Sequence, residues 1–102
     1  MDVRLRYFDG CPNWRSTYER LATVLEEIGL SDLEIALERV ESPEDADRLR
    51  FVGSPTIIFN GFDLFPTTES GSGLTCRIYQ TPEGLAGSPT TEQLREAIEA
   101  RL

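Results

Sequence analysis

Hydrophobic periodicity changes twice within the first 40 residues. In residues 3–8, Val3, Leu5 and Tyr7 alternate with Arg4 and Arg6, the repeat of a strand with one buried face. From Trp14 onward the apolar positions are Trp14, Tyr18, Leu21, Leu25 and Ile28, spaced by four, three, four and three, which makes a single stripe along a helix. In residues 33–40 the repeat of two returns with Leu33, Ile35 and Leu37. A strand, a helix and a strand joined by short connections leave few options. The helix crosses over, and the two strands lie parallel in one sheet.

The rest of the chain continues that rhythm. The helix is expected over residues 11–29, with Cys11 as its N-cap, Pro12 at the first helical position and Gly29 as its stop. Ser42-Pro43-Glu44-Asp45 has helix-start chemistry: a hydroxyl cap, a proline and early acids, for a short helix ending near Phe51. Residues 55–60, PTIIFN, form a third, buried strand, and Asn60-Gly61 is a turn signal. Residues 62–73 are expected to be a loop packed over the body by Phe62, Leu64 and Phe65, and residues 74–80, LTCRIYQ, the fourth strand. Thr90 with Gln93 three residues on makes a capping box for a last helix that buries Leu94, Ala97 and Ile98. The expected architecture is one α/β domain over residues 1–102, in the order β-α-β-α-β-β-α. Its four-stranded mixed sheet carries helices on both faces.

Composition excludes several function classes. The chain carries 10 basic and 18 acidic side chains, a net charge of −8, and this argues against nucleic acid or an anionic membrane as partner. No run approaches the roughly 18 apolar residues that span a bilayer. The start, MDVRLRYF, is too charged for a secretory signal, so a cytoplasmic location is expected. There is no histidine, which removes the usual general base and the commonest metal ligand. Neither a metal nor another cofactor is expected. There are two cysteines, Cys11 and Cys76, and in a reducing compartment such a pair is reactive more often than structural.

Cys11 lies in YFDGCPNW, between the first strand and the first helix. At a helix N-cap its sulfur faces unpaired backbone N–H groups and the positive end of the helix dipole. Cysteines so placed have pKa values of roughly 3.5–7.5 against about 8.5 when free. The bland alternative is a small apolar residue that only caps a helix. Trp14 heads the apolar stripe and either packs in the core or also shields the thiol. With residues 74–80 as a sheet strand, Cys76 falls about 13 Å back from Gln80 at 3.3 Å per residue. A disulfide needs Cα atoms within about 7 Å. Pairing of Cys11 with Cys76 then requires either strand limits other than these or residues 62–73 to fold the chain back over Cys11, and a buried structural role for Cys76 is the alternative. Arg77 reads as a solvated strand residue opposite Cys76 and Ile78.

Cys11-Pro12-Asn13-Trp14 and Gly53-Ser54-Pro55-Thr56, taken with the strand and helix order, resemble the thioredoxin fold over about residues 3–101. More closely, the chain is similar to small bacterial thioredoxin-like proteins carrying DGCPNW, GSPT and GLxCRxY, some of which bear an alkylmercury-lyase label. The resemblance implies a cis-proline at Pro55 packed beside Cys11. It also implies a substrate surface of Pro12, Trp14, Ser54 and Pro55, whose backbone hydrogen-bonds an extended segment by strand addition. Trp14 stands where C-x-x-C proteins have their second cysteine, and also where organomercurial lyases have a C-x-x-D aspartate. The function expected is thiol–disulfide exchange with protein or small-molecule partners, with Cys11 as nucleophile and Cys76 as candidate resolving thiol. The alternative is a binding module without turnover, for a peptide or a soft metal or organomercurial species.

Overall fold

In a computed structural model, which describes residues 1–67 and 73–102, the chain is an α/β protein with a four-stranded mixed sheet and three helices. The sheet strands are β1 (Val3–Tyr7), β2 (Ile35–Arg39), β3 (Thr56–Phe59) and β4 (Phe62–Asp63), in spatial order β2-β1-β3-β4. β1 and β2 are parallel, joined through α1 (Trp14–Glu27), as the change of period predicts. β3 is antiparallel to β1, and β4 is antiparallel to β3. The other elements are α2 (Pro43–Leu49), the two-stranded hairpin β5 (Tyr79–Thr81) with β6 (Gly84–Ala86), and α3 (Thr91–Glu99). No helix among the described residues is long and apolar enough to cross a membrane.

Register decides which side chains meet. Val3 lies opposite Phe59 and Leu5 opposite Ile57, so these four share one face. α1 covers that face with Leu21, Val24 and Leu25, and α3 with Leu94 and Ile98. Each such side chain contributes about 1.5–3 kcal/mol on burial. On the other face Arg6 pairs across to Glu38 at 2.8 Å, and Arg4 reaches the same carboxylate at 3.0 Å. Partial burial opposes the charge on Glu38, but the two guanidinium groups outweigh it and hold the carboxyl below its usual range. Arg6 also donates to the Leu49 carbonyl, which ties α2 to this side. A smaller cluster of Val40, Ala46 and Phe51, flanked by Phe8, Leu49 and Leu74, fills the space beyond.

The helix signals in residues 42–45 and 90–93 act as read. Ser42 Oγ accepts from the Asp45 N–H, and Thr90 and Gln93 form the reciprocal capping box. Gly29, at φ +84°, follows the end of α1.

Three expectations need correction. The first helix begins at Trp14 with Asn13 as its cap, not at Cys11. The Cys11 N–H instead donates to the Phe8 carbonyl at 3.2 Å, closing a turn between strand and helix. The fourth sheet strand is Phe62–Asp63, not residues 74–80. Asn60 and Gly61 both have positive φ, +52° and +87°, so the two-residue turn returns the chain at once and fills the free edge of β3. Residues 74–80 are thereby displaced from the sheet. Of residues 62–73, Leu64 is buried and Phe65 packs against the core, but Phe62 is exposed, and residues 68–72 lie outside the described residues.

Candidate functional site

The displaced segment settles beside Ser54. The Ser54 N–H donates to the Thr75 carbonyl at 2.8 Å, and the Arg77 N–H donates to the Ser54 carbonyl at 2.9 Å. These two bonds pair Cys76 with Ser54 as an isolated parallel bridge. On the other side of Ser54, the Cys11 thiol donates to the same Ser54 carbonyl at 3.3 Å. One backbone carbonyl thus gathers both cysteines. The 13 Å separation expected for Cys76 is overturned, because its segment pairs with the residue before Pro55 instead of extending the sheet. The Ser54–Pro55 peptide is cis, and both residues are buried.

The two thiols differ in access. Cys11 is only 1% exposed, while Cys76 is exposed. Both are free. The Cys76 thiol is pushed above its ordinary range, first by its hydrogen-bond interaction with Cys11 and then by burial. The sulfur of Cys11 meets a carbonyl oxygen, where the N-cap expectation has it face helix N–H groups. A raised value means that Cys76 carries less thiolate at any given pH than a free cysteine does. The alkylation rate of Cys76 in the reduced protein is therefore expected to rise with pH to a midpoint above that of a free cysteine. Rates measured across the alkaline range by mass spectrometry check this, and a midpoint below that of a free thiol contradicts it.

Arg77 holds the segment in place and is not the solvated residue its position suggests. It is 7% exposed. Its guanidinium donates to Asp63 Oδ2 at 2.9 Å, to Thr56 Oγ1 at 3.2 Å and to the Phe65 carbonyl, and it lies 4.7 Å from the centre of the Tyr79 ring. Tyr79 in turn donates its hydroxyl to the Pro55 carbonyl, and burial pushes its phenol far above the usual range. Side chains at 77 and 79 therefore point inward, with 76 and 78 outward. That is the reverse of what a hydrophobic reading of C-R-I-Y assigns, and the inward Arg77–Asp63–Tyr79 group is what sequence reasoning missed. No sequence signal at positions 76–79 marks that group, which sits against a glycine that lets a backbone in. Gly53, at φ +138°, is that glycine: a Cβ there would lie 2.8 Å from Arg77 Cβ and 2.9 Å from its Cα.

The remaining proposed contact residues divide. Pro12 is exposed on the Cys11 turn. Trp14 stacks on Tyr7 with ring centres 4.0 Å apart, and the Arg15 guanidinium sits 4.9 Å from the Trp14 ring centre. The backbone of Ser54 is not open for strand addition, because residues 75–77 of the same chain already occupy it. The first turns of α1 are tied to the segment that leads into α3. Thr17 Oγ1 donates to Ser88 Oγ at 2.7 Å, and Arg20 donates to the Pro89 carbonyl at 2.9 Å. Among the described residues no three His, Cys, Asp or Glu side chains come together as a metal site.

The fold and site define an α/β protein with a non-contiguous pair of thiols gathered at a cis-proline. Compared with protein-family models, curated proteins and solved structures, the chain matches none.

Proposed function

We propose that this is a thioredoxin-like thiol–disulfide exchange protein, acting in the cytoplasm, whose redox pair is Cys11 and Cys76. The observation that carries the reading is the shared Ser54 carbonyl. It accepts from the Cys11 thiol on one side and from Arg77, the residue after Cys76, on the other. Two sulfurs brought together across 65 positions of sequence supply what a C-x-x-C motif supplies locally. The likeness of Cys11-Pro12-Asn13-Trp14 and Gly53-Ser54-Pro55-Thr56 to the thioredoxin pattern is the second support. In the exchange the two protein thiols become one disulfide, and one partner disulfide becomes two thiols.

Equilibration against glutathione buffers with mass detection tests this. The folded protein is expected to lose two hydrogens as the buffer is made more oxidising and to regain them on reversal. Peptide mapping is expected to locate the bridge at Cys11–Cys76. An unchanged mass across the whole range sinks the exchange reading and leaves the binding module. Two adjacent thiolates then suit a soft ion that accepts two sulfurs. The peptide-binding version of that alternative loses its anchor, since the Ser54 backbone is already paired.

A further inference from the structure

The geometry points to Cys76 as the thiol that meets the external partner, with Cys11 as the inner thiol that completes the exchange, and to compact disulfides as the partners. The inference rests on the exchange reading above and names the order of events within it.

Access carries the first part. Cys11 is sealed to 1% exposure beneath the segment that bears Cys76, so no incoming sulfur reaches it in the folded state. Cys76 is exposed, and its outward neighbour Ile78 is 69% exposed. The attacking thiolate has to line up with the S–S bond of the partner, which needs an exposed sulfur, and of the two cysteines Cys76 is the exposed one. The occupied backbone carries the second part. A polypeptide that docks by strand addition needs a free N–H and C=O beside the proline. Both groups of Ser54 are already bonded, to Thr75 and to Arg77. The chain's own Cys76 occupies the place of a substrate cysteine, and a partner must arrive from outside it. A low-molecular-weight disulfide does this without displacing residues 75–77.

The steps balance as follows. The Cys76 thiol gives its proton to solvent and its thiolate attacks one sulfur of the small disulfide; a Cys76–sulfur bond forms, the partner's S–S bond breaks, and the released thiolate takes up a proton from solvent. Cys11 then attacks the Cys76 sulfur, and its proton passes to the departing partner sulfur. The Cys11–Cys76 bond forms, and the second partner thiol leaves. Two protein thiols are oxidised and one disulfide is reduced to two thiols.

The test begins with the reduced, unsubstituted protein. A short pulse of iodoacetamide is quenched, the chain is unfolded, the remaining thiol is tagged with a second reagent, and peptides are mapped. First labelling at Cys76, by roughly tenfold or more over Cys11, is expected from exposure. Equal labelling, or first labelling at Cys11, overturns the assignment. Single variants then read the mixed disulfide, with glutathione disulfide as an anionic probe and cystamine as a cationic one, so that repulsion by the chain's charge of −8 cannot hide a reaction. Cys11→Ser is expected to accumulate a stable adduct at Cys76, and Cys76→Ser to stay unmodified while folded. An adduct on Cys76→Ser, or none on Cys11→Ser with either probe, overturns the order of events. An extended peptide disulfide that reacts tenfold faster than both probes overturns the partner class. Failure of the unsubstituted protein to close its own bridge is a separate result, and it bears on the exchange reading rather than on this order.

Discussion

Arg77→Met is expected to cost roughly 3–5 kcal/mol of unfolding free energy, the range for breaking a buried ion pair from one side. The guanidinium is almost fully buried, and its partners Asp63, Thr56 and the Phe65 carbonyl are all internal to the fold. Methionine fills much of the volume but donates nothing. Asp63, whose side chain is 24% exposed, is left with the Phe65 N–H at 2.8 Å and part of its water. This partial exposure argues for the lower end of the range. Urea unfolding of the reduced protein measures the effect as a shift in midpoint at unchanged slope. Adding Asp63→Asn to the variant removes the stranded charge and is expected to recover roughly 1–2 kcal/mol. A loss below about 1 kcal/mol, the worth of an exposed pair, contradicts the role given to Arg77. The same substitution loosens residues 75–77 and is expected to slow closure of the Cys11–Cys76 bridge.

Gly53→Ala combines two penalties that usually occur apart. The backbone conformation at φ +138° is one that residues with a side chain rarely adopt, worth about 1–3 kcal/mol. The added methyl carbon would also lie 2.8 Å from Arg77 Cβ and 3.0 Å from its backbone N. Overpacking of that kind costs typically 1–3 kcal/mol more, and here it pushes on the residue that bonds to Ser54. A total of roughly 2–6 kcal/mol is expected, together with impaired bridge closure. Gly29→Ala is the control: φ is +84°, with nothing within 4 Å of the new carbon. It carries only the conformational cost, about 1–2 kcal/mol, and is expected to leave the thiols untouched. Equal effects from the two substitutions would mean that the approach of Arg77 to Gly53 does not matter. Urea midpoints and bridge-closure rates, measured on both, decide this.

The parts of the fold legible in the sequence are those where local pattern and tertiary environment agree. Val3, Leu5 and Tyr7 alternate because one face of β1 meets α1, and Leu21 and Leu25 lie four apart for the reciprocal reason. The Thr90–Gln93 box is a purely local device and was readable as such. Residues 62–63 and 74–80 were misread because strand composition says nothing about which edge a strand will find. LTCRIYQ has the residues of a sheet strand, but β4 had already taken the edge of β3, and only Cys76 found a ladder partner outside the hairpin. Arg77 was misread for a related reason. Its burial is tolerable only with Asp63 and the Phe65 carbonyl in reach, and nothing at positions 76–78 signals those partners. The start of α1 was misread by three residues, because Pro12 suits a first helical turn but Asn13 takes the cap. Of the candidate site, Cys11, Ser54 and Pro55 were legible as neighbours through a known resemblance. The nearness of Cys76 was not, since it depends on the displaced segment.

The double use of the Ser54 carbonyl bears on what oxidation costs this molecule. A thiol that becomes part of a disulfide loses its hydrogen, and with it the contact from Cys11 to Ser54. In most interiors that would strand a lone acceptor away from water. Here the oxygen keeps the Arg77 amide on its other lone pair, so the bridge closes without leaving an orphan in the core. The acceptor is saturated in one redox state and sufficient in the other. In the proposed exchange, closing the bridge therefore leaves this one buried acceptor with a partner.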